Sequence, residues 1–151
     1  MKQVLMLVAG VFAGAATAGT LYVNNDAGVG SNAYDGKAAA WDGAHGPKLT
    51  IQSAVADAKA GDTILVAPGV YGDEQGAVDA ATAGHACRVY IDKPLTLKAS
   101  GSRAETHLVG KRFAGESGWG DGAVTAIRIA ADVGSGAEGD KVRIEGFTIR
   151  D

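Results

Sequence analysis

The segment from Pro47 to Tyr71, PKLTIQSAVADAKAGDTILVAPGVY, constrains the fold more than any other part of the chain. It joins a short amphipathic helix, a Gly-Asp break, an apolar strand and a Pro-Gly turn. Thr50 is placed to cap the helix, its hydroxyl accepting from an otherwise orphan amide of the first turn. Ile51, Ala54, Val55 and Ala58 then follow at i, i+3, i+4 and i+7 and share one face. Gln52, Ser53, Asp57 and Lys59 fall elsewhere, and Gly61 suits a left-handed C-terminal stop. Isolated helices need about 12–15 residues to be stable, so this one must lay its apolar face on something. Thr63 to Ala67 reads as a strand, and Pro68-Gly69 turns the chain.

Short runs of alternating character follow. Val89 and Ile91 alternate with Arg88, Tyr90 and Asp92; Leu95 and Leu97 alternate with Thr96 and Lys98. Leu108-Val109 is a weaker run. Ile127 and Ile129 flank Arg128, and Val142 and Ile144 alternate with Arg143 and Glu145. Each suits a strand with one face in a core and one in water. Glycine-rich joins separate them: Ser100 to Ser102, Gly115 to Gly122 and Gly134 to Gly139. In the last run, VRIEGFTIRD, Val142 and Ile144 share one parity and Phe147 and Ile149 the other. A straight strand would send the two pairs to opposite faces. A bend at Gly146 brings them to one side, because glycine accepts positive φ. Two short strands joined at a one-residue corner are how the coil of a repeat solenoid is built. An antiparallel β-sandwich with a bulge at Gly146 is the alternative.

The pattern PxxTIQxAVxxAxxGDTILVxPGxY, with LYV ahead of it and KPLTLKAS after it, resembles the N-terminal region of secreted pectate-lyase-like right-handed parallel β-helix proteins. The matching residues are Leu21 to Val23, Thr50 to Gln52, Ala54, Val55, Ala58, Gly61 to Ile64, Val66, Pro68, Gly69, Tyr71 and Lys93 to Leu97. The resemblance covers most of the chain after residue 18. It implies an all-β solenoid of the pectin lyase-like fold, in which the short α-helix closes the open end of the core. It implies a polysaccharide lyase or glycoside hydrolase as the activity, with catalytic and calcium-binding residues on the central coils. Calcium enters as a cofactor by that resemblance alone, on no residue of this chain, and no catalytic residue is carried over to any position.

Length and composition agree with a single domain. Of 151 residues, 46% are hydrophobic and 21% charged, the proportions of a globular chain. Glycine, 23 residues, is roughly twice its usual share of about 7%, which favours tight turns over long helices. The net charge is −3, from 17 acids against 14 bases, so nucleic acid, which wants a basic face, is not an expected partner. Residues 1–18 read as a secretory signal: Lys2 is the positive start, Val4 to Ala13 the apolar core, and Ala16-Thr17-Ala18 a small-residue cleavage site before Gly19. The apolar stretch is short of the roughly 20 residues of a membrane span. The expected product, residues 19–151, is secreted or at the cell surface, with no membrane span after cleavage. Its last coil has only begun when the sequence stops at Asp151, so the expectation is an N-terminal fragment of a longer solenoid. Cys87 is the sole cysteine; it makes no internal disulfide and is expected as a small buried hydrophobe just before a strand.

Candidate chemistry is sparse. Gly28, Gly30 and Ala33 have a GxGxxA spacing, but Asp35-Gly36 follows where a dinucleotide site needs a helix. Asn25, Asp26, Asn32 and Asp35 are oxygen donors of the kind calcium prefers, without the spacing of a calcium loop; an Asx-rich surface loop explains them. His107, Lys111 and Arg112, followed by Glu116, Trp119 and Asp121, combine charges that suit an acidic sugar with an aromatic that suits a pyranose face. A lyase needs a base for the proton α to the uronate carboxylate and a cation to neutralise that carboxylate, and nothing in the sequence assembles those roles. His45 and His85 lie beside glycines without ligand spacing. No position is assigned as catalytic or as a metal ligand, and the substrate-binding residues are unknown. Two functions are left to separate: an enzyme on extracellular polysaccharide, or a non-catalytic surface, adhesive or carbohydrate-binding β-helix.

Overall fold

The computed structural model describes residues 17–76, 78–79, 86–112, 122–131, 133 and 141–150. In chain order the strands are β1 (Thr20–Val23), β2 (Thr63–Val66), β3 (Gly69–Tyr71), β4 (Val78–Asp79), β5 (Ala86–Ile91), β6 (Thr96–Ala99), β7 (Thr106–Val109), β8 (Val124–Ile129), β9 (Arg143–Glu145) and β10 (Thr148–Arg150). One α-helix, α1 (Ile51–Asp57), lies between β1 and β2. The first sheet has the order β1-β2-β6-β9, the second β3-β7-β10, the third β4-β5-β8. From β2 onward the chain visits first, second and third sheets, returns through all three, then enters the first and second again. The strand pairs are parallel except β4 with β5. The fold is therefore mostly β, in parallel sheets. The antiparallel sandwich is corrected: apart from β4 and β5, consecutive strands go to different sheets, and every other strand pair is parallel.

The register turns the alternating sequence into a core. Leu21, Ile64, Leu97 and Ile144 are successive partners across the first sheet, and Val23, Val66 and Ala99 form the next inward row. Tyr71, Leu108 and Ile149 are partners in the second sheet; Val89 pairs with Ile127 and Ile91 with Ile129 in the third. Side chains two apart on a strand share a face, so each in-register row is apolar along its length. Its outward neighbours, Tyr22, Leu65, Lys98 and Glu145, form a parallel row on the other face. Leu108, read from sequence as the weaker run, is fully buried in the central strand of the second sheet.

Helix α1 forms where expected. The Thr50 hydroxyl accepts from Ser53 N at 3.2 Å, and Ile51, Ala54, Val55 and Ala58 are buried. That face packs on β5, β1 and β2. Two side chains outside the apolar stripe fasten it: Gln52 Oε1 accepts from Tyr90 N of β5 at 2.7 Å, and Lys93 Nζ donates to Val55 O at 2.9 Å. The helix stops at Ala58, already extended, three residues before the expected stop; Gly61, at φ 88°, makes the following turn instead. Gly146 has φ 79° between β9 and β10, the bend that the parity of its neighbours requires. Val142, Ile144 and Phe147 pack against the core, whereas Ile149 is exposed.

Strand β5 departs from simple alternation. Cys87, Arg88 and Val89 are all buried, so Arg88 does not face water as its position between Cys87 and Val89 suggested. Its guanidinium donates to Gly76 O at 2.8 Å and Val109 O at 3.2 Å and pairs with the Asp73 carboxylate. Cys87 lies within the strand rather than before it, and burial pushes its thiol pKa up.

Candidate functional site

The segment between β1 and α1 holds the densest polar construction among the described residues. It is stitched to the sheet by Tyr22 N to Gly36 O (2.7 Å), Lys48 N to Tyr22 O (2.8 Å) and Asn24 N to Lys48 O (2.9 Å). Lys48 is buried, ion-paired with Asp57 and donating to Asn32 O. The four oxygen donors considered for calcium are dispersed over separate tasks. Asn25 Nδ2 donates to Val70 O at 2.7 Å, and a Cβ on Gly69 would collide with the Asn25 amide. Asp26 accepts from Gly28 N. Asn32 Oδ1 accepts from Leu49 N, Thr50 N and the Thr50 hydroxyl, which positions the helix cap. Asp35 bonds His45 instead, Nδ1 to Oδ2 at 2.6 Å, and lies 3.5 Å from Lys37 Nζ. Among the described residues no three His, Cys, Asp or Glu side chains converge as metal ligands.

The Asp35–His45 pair is fixed by backbone turns. Asp35 Oδ1 accepts from Lys37 N at 3.1 Å. Asp42 N donates to His45 O at 3.0 Å, and Asp42 Oδ1 accepts from Ala44 N and His45 N at 2.9 and 2.7 Å. Gly43, at φ 102°, allows this closed turn. Desolvation acts to raise the Asp35 pKa, but the Lys37 amide, the His45 ring and the Gly46 amide outweigh it and hold the carboxyl at about 2. The His45 and Ala44 amides hold Asp42 below its ordinary range. At neutral pH both are carboxylates.

Beside this turn, Trp41 stacks on Tyr34 with ring centroids 4.7 Å apart and planes inclined by 20°. Gly46 abuts both rings: a Cβ there would stand 2.6 Å from Tyr34 Cδ2 and 3.1 Å from Trp41 Cε3. Trp41 is 51% exposed. Neither aromatic is part of a recognisable motif, and the ten-residue separation of Asp35 and His45 conceals the contact of that pair. The available hint was the sequence Asp42-Gly43-Ala44-His45, an Asx turn that returns the chain on itself.

The second candidate group is not assembled. His107 Nε2 contacts Ala104 O at 3.0 Å, and its Nδ1 is buried without a hydrogen-bond partner among the described residues. Lys111 and Arg112 instead line a concavity of about 620 Å³ floored by Ile127, Ile129, Ile144 and Ile149. Glu116, Trp119, Asp121 and His85 lie outside the described residues, as does the chain before Thr17. No described helix is long and apolar enough to cross a membrane.

Comparison with models of protein families, with curated proteins and with solved structures found no match.

Proposed function

We propose that the chain belongs to an exported right-handed parallel β-helix protein that binds or acts on extracellular polysaccharide. The observation that carries this reading is the cyclic order of the three sheets, with each return pairing parallel to the strand one cycle earlier. Stacked coils are the economical way to produce that order, and parallel crossovers are right-handed in about 98% of cases. The helix supports it from the other side: its apolar face covers β1, β2 and β5, and Gln52 occupies a backbone amide of β5. A sheet edge covered in this way is protected from pairing with another chain. Export rests on the leader-like residues 1–18. Polysaccharide rests on the resemblance of Pro47 to Tyr71 and Lys93 to Leu97 to pectate-lyase-like proteins, together with export.

The test is a polysaccharide panel, neutral and acidic, with three readouts: retardation in affinity gels, new reducing ends, and ultraviolet absorbance of unsaturated products. Retardation without products assigns a binding module; products of either kind assign a hydrolase or lyase. No retardation and no products on any polymer would end the polysaccharide reading.

A further inference from the structure

An exposed tryptophan needs a reason to be held rigid. Trp41 has one face on Tyr34 and an edge against Gly46, so its exposed half is the opposite face and rim. The turn that follows is closed by three hydrogen bonds, which puts His45 at its far end and Gly46 back under the rings. The His45 imidazole is itself oriented, its Nδ1 committed to Asp35, which leaves Nε2 as the ring's other hydrogen-bonding nitrogen. Lys37, two-thirds exposed, stands on the same carboxylate. The result is a packed aromatic face that abuts Gly46, the residue after His45, with His45 and Lys37 both held on the Asp35 carboxylate. Preorganisation of this kind lowers the entropic cost of binding.

We propose that Trp41, with the Asp35-held Lys37 and His45 as its polar neighbours, is a binding site for a neutral pyranose residue of a polysaccharide. The C–H face of a chair pyranose is apolar and about the size of an aromatic ring, while its equatorial hydroxyls point outward at the edge. Trp41 matches the first, and the Lys37 ammonium and His45 Nε2 offer hydrogen bonds to the second. A protein partner fits less well, because a stable interface takes about 800 Å² from each side and this surface is a single ring with charges around it. Charge separates neutral from acidic sugars. Asp35 and Asp42 are two carboxylates beside the one ammonium of Lys37, so a uronate would meet like charge. The proposal rests on the polysaccharide reading above for the source of the sugar, and it differs from that reading in excluding acidic polymers from this site.

The experiment is affinity electrophoresis of the protein and of its Trp41→Ala and Trp41→Phe variants in gels holding a neutral glucan, a neutral mannan, a xylan or polygalacturonate. The expected result is retardation by at least one neutral polymer, weakened about tenfold by Trp41→Ala, the loss of one aromatic contact, and less by Trp41→Phe. A second measurement leaves the site intact: in a Trp119→Phe background, the neutral oligosaccharide of the same type should shift the fluorescence of Trp41. Equal retardation of wild type and Trp41→Ala, with no fluorescence shift, overturns the site and leaves the polysaccharide reading standing. Retardation by polygalacturonate alone does the same. Absence of retardation in every gel, with no reaction products, removes both.

Discussion

Thr106 is fully buried in β7, and its hydroxyl has no partner among the described residues. An unsatisfied buried hydroxyl costs about 1–3 kcal/mol, whereas an apolar group of the same shape costs nothing comparable. Thr106→Val is therefore expected to raise the free energy of unfolding in urea or leave it unchanged; a fall of more than about 1 kcal/mol would mean that the hydroxyl is bonded. Asp35 is the opposite case, a polar group with more partners than it needs. Its folded pKa, about 2, lies below the ordinary 3.8, so the stability that it contributes is present above the ordinary value and lost as the pH falls through about 2. Its carboxyl carbon resonance should titrate with a midpoint near 2, and His45→Ala should move that midpoint up. A midpoint unchanged by the substitution would show that the imidazole is not its partner. Neither residue announces its environment in the sequence. The solitary Thr106 hydroxyl and the Asp35–His45 contact depend on which distant groups arrive, and Arg88 is buried because Gly76, Val109 and Asp73 converge on it.

At the scale of elements, what is local is legible. The cap of α1, its apolar face and the strand that follows are each decided within a turn or two, and all three are where the spacing puts them. Its C-terminus was misplaced by three residues because nothing in the spacing marks Ala58 as the point where the backbone becomes extended. β3 was hidden as well, since Gly69 reads as part of a turn, whereas Asn25 holds Val70 O and β7 pairs with Gly69 to Tyr71. Burial depends on how completely a neighbouring row covers each strand. Leu97 is fully buried between register partners Ile64 and Ile144, while Lys98 beside it is exposed. Leu97→Ala should cost about 2–5 kcal/mol, the transfer of its side chain plus the cavity left behind. Lys98→Ala should stay within about 0.5 kcal/mol, as surface changes do. Chemical denaturation of the two variants side by side checks the assignment of inner and outer faces, and similar losses for both would contradict it.

The described residues differ between the two ends of the strand order in their sheets. At one end α1 covers β1, β2 and β5. At the other, β8, β9 and β10 are the outer strands of their sheets, and they surround the concavity floored by isoleucines. Ile129 is 42% exposed and Ile149 52%. Among the described residues, apart from a bridge between Lys111 and Val124, this end offers strand edges beside apolar side chains, the combination that templates pairing with another chain. The protein is expected to self-associate increasingly with concentration in sedimentation velocity. Ile149→Lys should weaken that association, because a charge at a strand edge opposes docking, and should leave the circular dichroism unchanged, because the side chain is already half in water. Trp41→Ala, at the aromatic surface ahead of α1, should leave association as it is. The pair of variants thus separates two exposed apolar surfaces by function: one whose loss changes the oligomeric state, and one whose loss changes sugar binding. A monodisperse monomer at every concentration would show that the edges of β8, β9 and β10 do not pair with a second copy.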